Sequence, residues 1–566
     1  MQDSGINKIN NMQGHPVKLL LVCPKFPVGY LSFHHLSSIT RETTALMPPL
    51  GLLTIAGISP PDWEIRIIDE GVEVLSDQDI EWANIVGVTS MIVQCNAAVR
   101  VAHRARALGK PTIIGGPHVT SEPAVYNDEF DVLICNEGEI TYRRFLEDYS
   151  TGSVVPLYVT EEKADLNKTE IPRFDLVRWP QRYLQFGIQF SRGCPYECEF
   201  CNVTGMLGHK MRTRTADAFL QGLDAILASG YRSPFGGVPA PIFVVDDNFI
   251  APRQKTIELC KMLAQWNQKN GLPFFYHTQL SIDLAKKEDL LAHLQMAKFN
   301  AAFIGFETVS EESLEHTGKK QNLNVNTEEA VNKIQSYGIR VDGGFIVGFD
   351  TDKEDIFRRQ AEFIEQIGVS SASLSMLTAL PSSRMHKRLQ QEGRLLYDRT
   401  LIDLSDDSDS KFNMWGIFNI VPKHFSVKSL MVGYSWLWSE VYSPKNYFKR
   451  VLKQVPRITP VKRNLRARLT RLKICLILFP SLSFKIILYF PFRFQYICAA
   501  IQVLFKFPNH IIPFCQLSMR GIHYLEFTRL EMVPWTKREI ERLSKEEKKN
   551  ASDKNNSFPM KKQGLV

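Results

Sequence analysis

The chain has 566 residues, 44% of them hydrophobic, too many for one ordinary core and enough for several domains of roughly 100 to 200 residues each. Ten cysteines are sparse in such a length, three of them fall within eight residues, and the N-terminus MQDSGINKINNMQGHPVK lacks the apolar run of a signal peptide. A secreted disulfide scaffold is set aside, and a cytoplasmic location is expected. The net charge of +8 is regional: Val441 to Leu525 holds fifteen Lys and Arg and no Asp or Glu, leaving 8 − 15 = −7 for the remainder.

Residues 17–150 alternate short apolar runs (KLLLVCP, EIRIIDE, IVGVTSM, PTIIGGPH, DVLICNEGE) with helical pattern, the mark of an open parallel, Rossmann-like sheet. Ligands of such sheets sit at the carboxyl ends of the strands. There the chain places Thr89 and Ser90, Gly115, Gly116 and His118, and Glu137, Gly138 and Glu139. A nucleotide-sized ligand would fit, although glycines after a strand also serve simply as tight turns.

A linker at 151–183 leads into a second α/β region at 184–400. Six strand-like runs, LQFGIQFS, PIFVVDD, FFYHTQLSI, AAFIGFET, IRVDGGFIVGF and SASLSMLTAL, alternate with helical segments. That pattern predicts a partial (β/α)6 TIM-type barrel with its site at the strands' carboxyl ends. Residues 401–535 lose the alternation and read as mainly helical. The Lys, Ser and Asn-rich tail at 536–566 is expected to be disordered.

The loop after the first barrel strand reads SRGCPYECEFC, with Cys194, Cys198 and Cys201 in C-x3-C-x2-C spacing. Three buried small hydrophobes would be out of place in so turn-rich a segment. A structural zinc site would need a fourth ligand, for which His209 is the nearest candidate at unusual spacing. A four-iron cluster held by three thiolates keeps one iron open for chemistry.

This loop resembles the radical S-adenosylmethionine superfamily, whose motif has an aromatic before the third cysteine, here Phe200. The resemblance implies a [4Fe-4S] cluster on Cys194, Cys198 and Cys201 whose open iron binds S-adenosylmethionine and cleaves it to a 5'-deoxyadenosyl radical. It further implies that Asp246, Asp247 and Asn248 hold the methionyl ammonium and that Glu307 contacts the ribose. Gly344, Gly348, Ala379 and Pro381 would pack on the adenine. Where relatives often read A-L-P-G-T-P, this chain has A379-L-P-S-S-R.

An open sheet before such a barrel resembles the cobalamin-binding domain of the cobalamin-dependent radical enzymes, with cobalamin expected against Thr89, Ser90, Gly115, Gly116, His118, Glu137 and Gly138. The D-x-H-x-x-G motif that ligates cobalt in many such domains is absent after the first strand, where the chain reads C23-P-K-F-P-V-G, so no cobalt ligand is named. L46-M-P-P-L-G-L-L-T, D246-D-N-F, N419-I-V-P-K and Y442-S-P-K-N-Y resemble the subgroup that includes the hopanoid C-2 methylase. Methyl transfer to an unactivated carbon is the expected reaction, with a polycyclic or other membrane lipid as the candidate substrate and a flavodoxin- or ferredoxin-type electron donor. Radical rearrangement or oxidation without methyl transfer, and a cluster-bearing binding protein, are the alternatives.

From Lys445 to Lys473 there are eleven cations, followed by a section rich in Phe, Ile and Leu. No run there is long enough to span a bilayer, which needs about 20 apolar residues. The acid-free stretch is expected to rest peripherally on the inner membrane face, and its apolar content argues against a nucleic-acid arm.

Overall fold

Two six-stranded parallel sheets follow one another along the chain. The computed structural model describes residues 5–30, 32–38, 43–234, 239–396, 418–458 and 479–556, with side chains to residue 548.

The first sheet comprises β1 (Lys18–Cys23), β2 (Glu64–Asp69), β3 (Ile85–Thr89), β4 (Thr112–Gly115), β5 (Val132–Ile134) and β6 (Leu157–Tyr158), in the order β2-β1-β3-β4-β5-β6. Its strands are continuous apolar runs because both faces are covered. Leu20 and Val22 of β1 face a core shared with Val86, Ile114 and Ala98, whereas Leu19 and Leu21 face the main core. Helix α1 (Leu50–Ile58) packs on that second face. β6 lies inside the stretch expected to be linker, so the sheet runs beyond residue 150.

The second sheet comprises β7 (Phe186–Ile188), β10 (Ala240–Val244), β11 (Phe274–Gln279), β12 (Phe299–Glu307), β13 (Arg340–Val347) and β14 (Ala372–Met376), in the order β14-β13-β12-β11-β10-β7. β7 and β14 remain edges, so the barrel is open, as its six-strand repeat requires. Between β7 and β10 lies the cysteine loop, braced by a ribbon of β8 (Ser191–Arg192) against β9 (Arg212–Thr213) and carrying helix α2 (Val203–Leu207). Helix α3 (Ile356–Ile367) joins β13 to β14.

The C-terminal region is helical: α4 (Val427–Val441), α5 (Pro444–Gln454), α6 (Phe479–Tyr489), α7 (Arg493–Lys506), α8 (Ile511–Phe527) and α9 (Val533–Asn556). It caps the free backbone of β14, which would otherwise be an unpaired edge. The Tyr442 hydroxyl donates to Ala372 O at 2.6 Å and accepts from Ala372 N at 2.9 Å, and Tyr434 donates to Leu374 O at 3.0 Å. Tyr442 also meets the Tyr30 hydroxyl at 3.0 Å, and Tyr30 stacks on Tyr524 with centroids 4.5 Å apart, so the segment after β1 is locked against α8.

Two expectations change here. The tail expected to be disordered from 536 continues helix α9 as far as Asn556, and 557–566 lie outside the described residues. The basic stretch is also divided. Arg450 is fully buried and pairs with Glu365 of α3, while Lys453 and Arg457 reach Glu328 at 3.0 and 3.5 Å. These cations face the barrel's own acids instead of solvent. Lys462, Arg463, Arg466, Arg468, Arg471 and Lys473 lie outside the described residues.

Candidate active site between the two sheets

The carboxyl ends of β3, β4 and β5 open onto a cavity of about 290 Å³ whose far side is the cysteine loop. Thr89, Gly115, Gly116, Glu137 and Gly138 line it from the first sheet, and Arg192, Met206 and Leu207 from the loop. Gly116 holds φ +119°, and a Cβ there would lie 2.8 Å from Ser90 O, so this turn admits only glycine without strain. Two expected ligand contacts are not at this surface. Ser90 and His118 are buried behind the strand ends, each bonded to the Tyr126 hydroxyl at 2.8 and 2.7 Å, and burial lowers His118 to about 4.

Glu137 lines the cavity, but its carboxylate is fully engaged. Arg212 bonds both its oxygens at 2.7 and 2.8 Å, Arg192 adds a bond at 3.0 Å, and Ala164 N donates at 3.2 Å. Its neighbour Glu139 takes the other side of Arg192. Burial would raise the Glu139 carboxyl, but Arg192 holds it below the usual carboxylate range. Two arginines of the β8–β9 ribbon thus grip two carboxylates at the N-terminus of the helix after β5.

On the barrel side, Asp246 is completely buried and accepts from Phe190 N, Ser191 N and Ser191 Oγ at 2.8, 2.8 and 2.6 Å. It pins the strand that launches the cysteine loop. Burial still raises it to about 7. The next two residues differ: Asp247 Oδ2 and Asn248 Oδ1 are buried with no hydrogen-bond partner among the described residues. Such acceptors call for a ligand donor. Burial raises Asp247 to about 6, against the opposing pull of Arg192 and the N–H of Gly193.

Glu307 ends β12 at φ +65°, beside a register shift between Gly305 and Glu307. A left-handed acidic side chain at a strand end is strained backbone, the kind found where a ligand is held. Its Oε1 accepts from Lys319 Nζ at 2.6 Å, and a Cβ at Gly305 would collide with that oxygen at 2.2 Å. Burial alone would lower Lys319, but Glu307 and the thiols of Cys198 and Cys201 hold it well above its ordinary value. Lys319 also lies 5.9 Å from the Phe200 ring centroid. Neither it nor the Arg192–Arg212 pair was singled out from the sequence. The only signal was position, T317-G-K at the end of the short helix that follows the fourth strand and S-R-G just before the first cysteine.

Cys198 is buried and Cys194 and Cys201 half-buried. Burial pushes Cys201 up to about 12, although the N–H of Val203 points at it. His209, the zinc alternative's fourth ligand, is exposed and faces Glu197 at 3.9 Å. Farther round, Gly344 faces the Phe303 ring and Gly348 holds φ +100°. Ala379 is gripped at both backbone atoms by the Asn419 side chain at 2.9 and 3.0 Å, and Pro381 is buried.

The sequence matches the B12 binding domain over residues 37–146, the radical SAM superfamily over 188–364 and a domain of unknown function (DUF4070) over 383–533. An uncharacterized methyltransferase of Synechocystis sp. is 35% identical over 77% of this chain and 78% of its own length. The hopanoid C-2 methylase of Rhodopseudomonas palustris is 30% identical over 76% of this chain and 80% of its own. The chain belongs to the cobalamin-dependent radical S-adenosylmethionine methyltransferases. The fold of this methyltransferase is also that of the radical S-adenosylmethionine methyltransferase TsrM from Kitasatospora setae, with TM-score 0.56 at 14% identity over 77% of this chain and 90% of that one. The radical enzyme OxsB matches with TM-score 0.56 at 14% identity over 93% and 83%.

Its cofactors are a [4Fe-4S] cluster, S-adenosylmethionine and cobalamin, and it acts on a small-molecule substrate. The residues fit them. Three thiols share one loop, orphaned carboxyl and amide oxygens stand beside it, and a glycine-floored cavity lies opposite. Among the described residues no helix is long and apolar enough to cross a membrane.

Proposed function

We propose that this methyltransferase modifies an unactivated carbon of a polycyclic or other membrane lipid, working peripherally at the inner face of a membrane. The relative that supports this substrate class is the hopanoid C-2 methylase, aligned over most of both chains. The bound cofactors supply the methyl group and the radical that opens the C–H bond.

In this reading Cys194, Cys198 and Cys201 hold the cluster. Asp247 and Asn248 receive the methionyl ammonium on their unpartnered oxygens. Asp246, with its own hydrogen bonds complete, keeps the loop in place. Glu307 takes a ribose hydroxyl, oriented by Lys319, while Phe200, Gly344, Gly348, Ala379 and Pro381 shape the adenine side. Thr89, Gly115, Gly116 and Gly138 face cobalamin directly, and Ser90, His118 and Glu137 support that surface from behind or beside it. Electrons come from a flavodoxin- or ferredoxin-type donor.

The observation that carries the reading is the shared cavity, in which the strand ends of the first sheet and the cysteine loop face one another. The experiment is anaerobic reconstitution with iron, sulfide and hydroxocobalamin, followed by incubation with membrane lipid extract and mass spectrometry. Methylated lipid should form together with 5'-deoxyadenosine and S-adenosylhomocysteine. Methylation of a water-soluble compound with the lipids untouched would overturn the substrate class.

A further inference from the structure

Helices α6 and α7 pack on one another through one stripe each, Leu482 and Ile486 against Tyr496, Ala499 and Val503, all buried. Their opposite faces are apolar too. On α6, Phe484, Ile487 and Leu488 recur at three- and four-residue spacing, and on α7, Phe494, Ile501 and Phe505 follow at seven- and four-residue spacing. Phe484 is 66% exposed, Tyr489 71%, Phe494 70% and Phe505 84%. A single exposed apolar side chain is ordinary, but contiguous stripes on two neighbouring helices mark a surface that something covers. A helix apolar on both sides is not stable against water on either.

The charges around the stripes point to what covers them. Lys485, Arg493 and Lys506 stand next to the exposed aromatics, and neither Arg493 nor Lys506 has an ion-pair partner among the described residues. Aromatic rings flanked by cations suit an anionic lipid surface, where the rings enter the acyl boundary and the cations meet phosphates. Neither α6 nor α7 carries an Asp or Glu, so the only charges on these two helices are cations suited to lipid phosphates. Elsewhere in the same region the cations are already engaged, as with Arg450, Lys453 and Arg457.

We infer that the outer face of α6 and α7, centred on Phe484, Phe494 and Phe505, is the surface by which the enzyme docks on an anionic phospholipid bilayer. The inference rests on the peripheral location proposed above but not on the substrate. It names the face of the molecule that meets the membrane.

The test is flotation of the full-length, reconstituted enzyme with phosphatidylglycerol–phosphatidylethanolamine vesicles and, separately, with pure phosphatidylcholine vesicles. Wild type should float with the anionic vesicles and lose binding as salt rises. The triple variant Phe484→Ser, Phe494→Ser, Phe505→Ser should bind at least about tenfold more weakly, since each ring removed forfeits a large share of its transfer free energy. Arg493→Gln with Lys506→Gln should weaken binding severalfold and flatten the salt dependence. Val74→Ser, an exposed apolar position in the loop after β2, should change nothing. An unchanged melting temperature and iron content would show that the variants are folded. Absence of flotation by the wild type, equal flotation by the triple variant, or a wild-type dimer that the triple variant converts to a monomer without vesicle binding would each overturn the inference. Lipid methylation in detergent is measured in parallel, so a failed docking face and a wrong substrate class give different results.

Discussion

Arg192 and Glu139 meet across the boundary of the two sheets as a two-pronged pair, Nη2 2.6 Å from Oε1 and Nη1 3.1 Å from Oε2. The side chains are 15% and 8% exposed. Arg192 stands two residues before Cys194, so the pair fixes the cluster loop over the cavity proposed for cobalamin. Removing one member of a buried pair leaves the other's charge uncompensated, at about 3–5 kcal/mol. Arg192→Ala should therefore lower the melting temperature and weaken cobalamin binding while iron per chain stays at the wild-type level. Cobalamin titration followed by absorbance reads the effect, and an unchanged affinity would show that the pair does not position the cavity.

Gly51 of α1 lines the same cavity, and a Cβ there meets nothing within 4 Å. Gly51→Phe should fill the cavity without straining the fold and block cobalamin while the cluster still assembles. Gly116→Val is the contrasting case, because its φ of +119° and the contact with Ser90 O disturb the fold itself. Expected results are loss of cobalamin with normal melting for the first, and loss of both for the second.

Asp246 gives a pH signature. Burial raises it from 3.8 to about 7, so the stability it confers is complete below pH 3.8 and is lost as pH rises through about 7. Asp246→Asn has no such titration. The stability of wild type relative to the variant should therefore fall by about 1.4 kcal/mol per pH unit through this window. Any fixed offset from the amide's own donors leaves the slope intact. Urea unfolding of cluster-free protein between pH 4 and 8 measures it, and a pH-independent difference would mean that Asp246 ionises normally.

Much of this was legible in the sequence because local pattern decides it. The apolar strands of both sheets, their parallel pairing and the Cys194–Cys201 loop follow from periodicity and spacing alone. What was not legible depends on contacts across long chain separations. Glu137 reads as a ligand contact until Arg192 and Arg212, which follow it by 55 and 75 residues, are seen to engage it. Ser90 and His118 sit in strand-end turns but point behind the sheet, which a turn motif cannot reveal. The cations of α5 read as a membrane face until Glu328 and Glu365 appear opposite them. The composition of the tail suggested disorder, yet α9 packs its first turns on α4, with Thr536 bonded to Ser435 at 2.7 Å.

Ser382 and Ser383 offer a pair of opposite outcomes on adjacent residues. Ser382 adopts φ +67°, a left-handed conformation that glycine takes without strain. Its carbonyl lies against α2, where a Cβ on Gly205 would come within 2.6 Å of Ser382 O. The turn's shape is thus set by its contact with the cysteine loop, and the serine bears the strain. Ser382→Gly should stabilise the protein by about 1 kcal/mol, the usual difference between a strained side chain and glycine at positive φ. Ser383 instead caps the following helix, its Oγ accepting from His386 N at 3.1 Å. Ser383→Gly or Ser383→Ala removes that cap, and the alanine change should cost about 1 kcal/mol. Melting curves of the two variants beside wild type should thus move in opposite directions. If both fall, the left-handed serine is held by contacts that glycine cannot replace, and the strain argument at this turn fails.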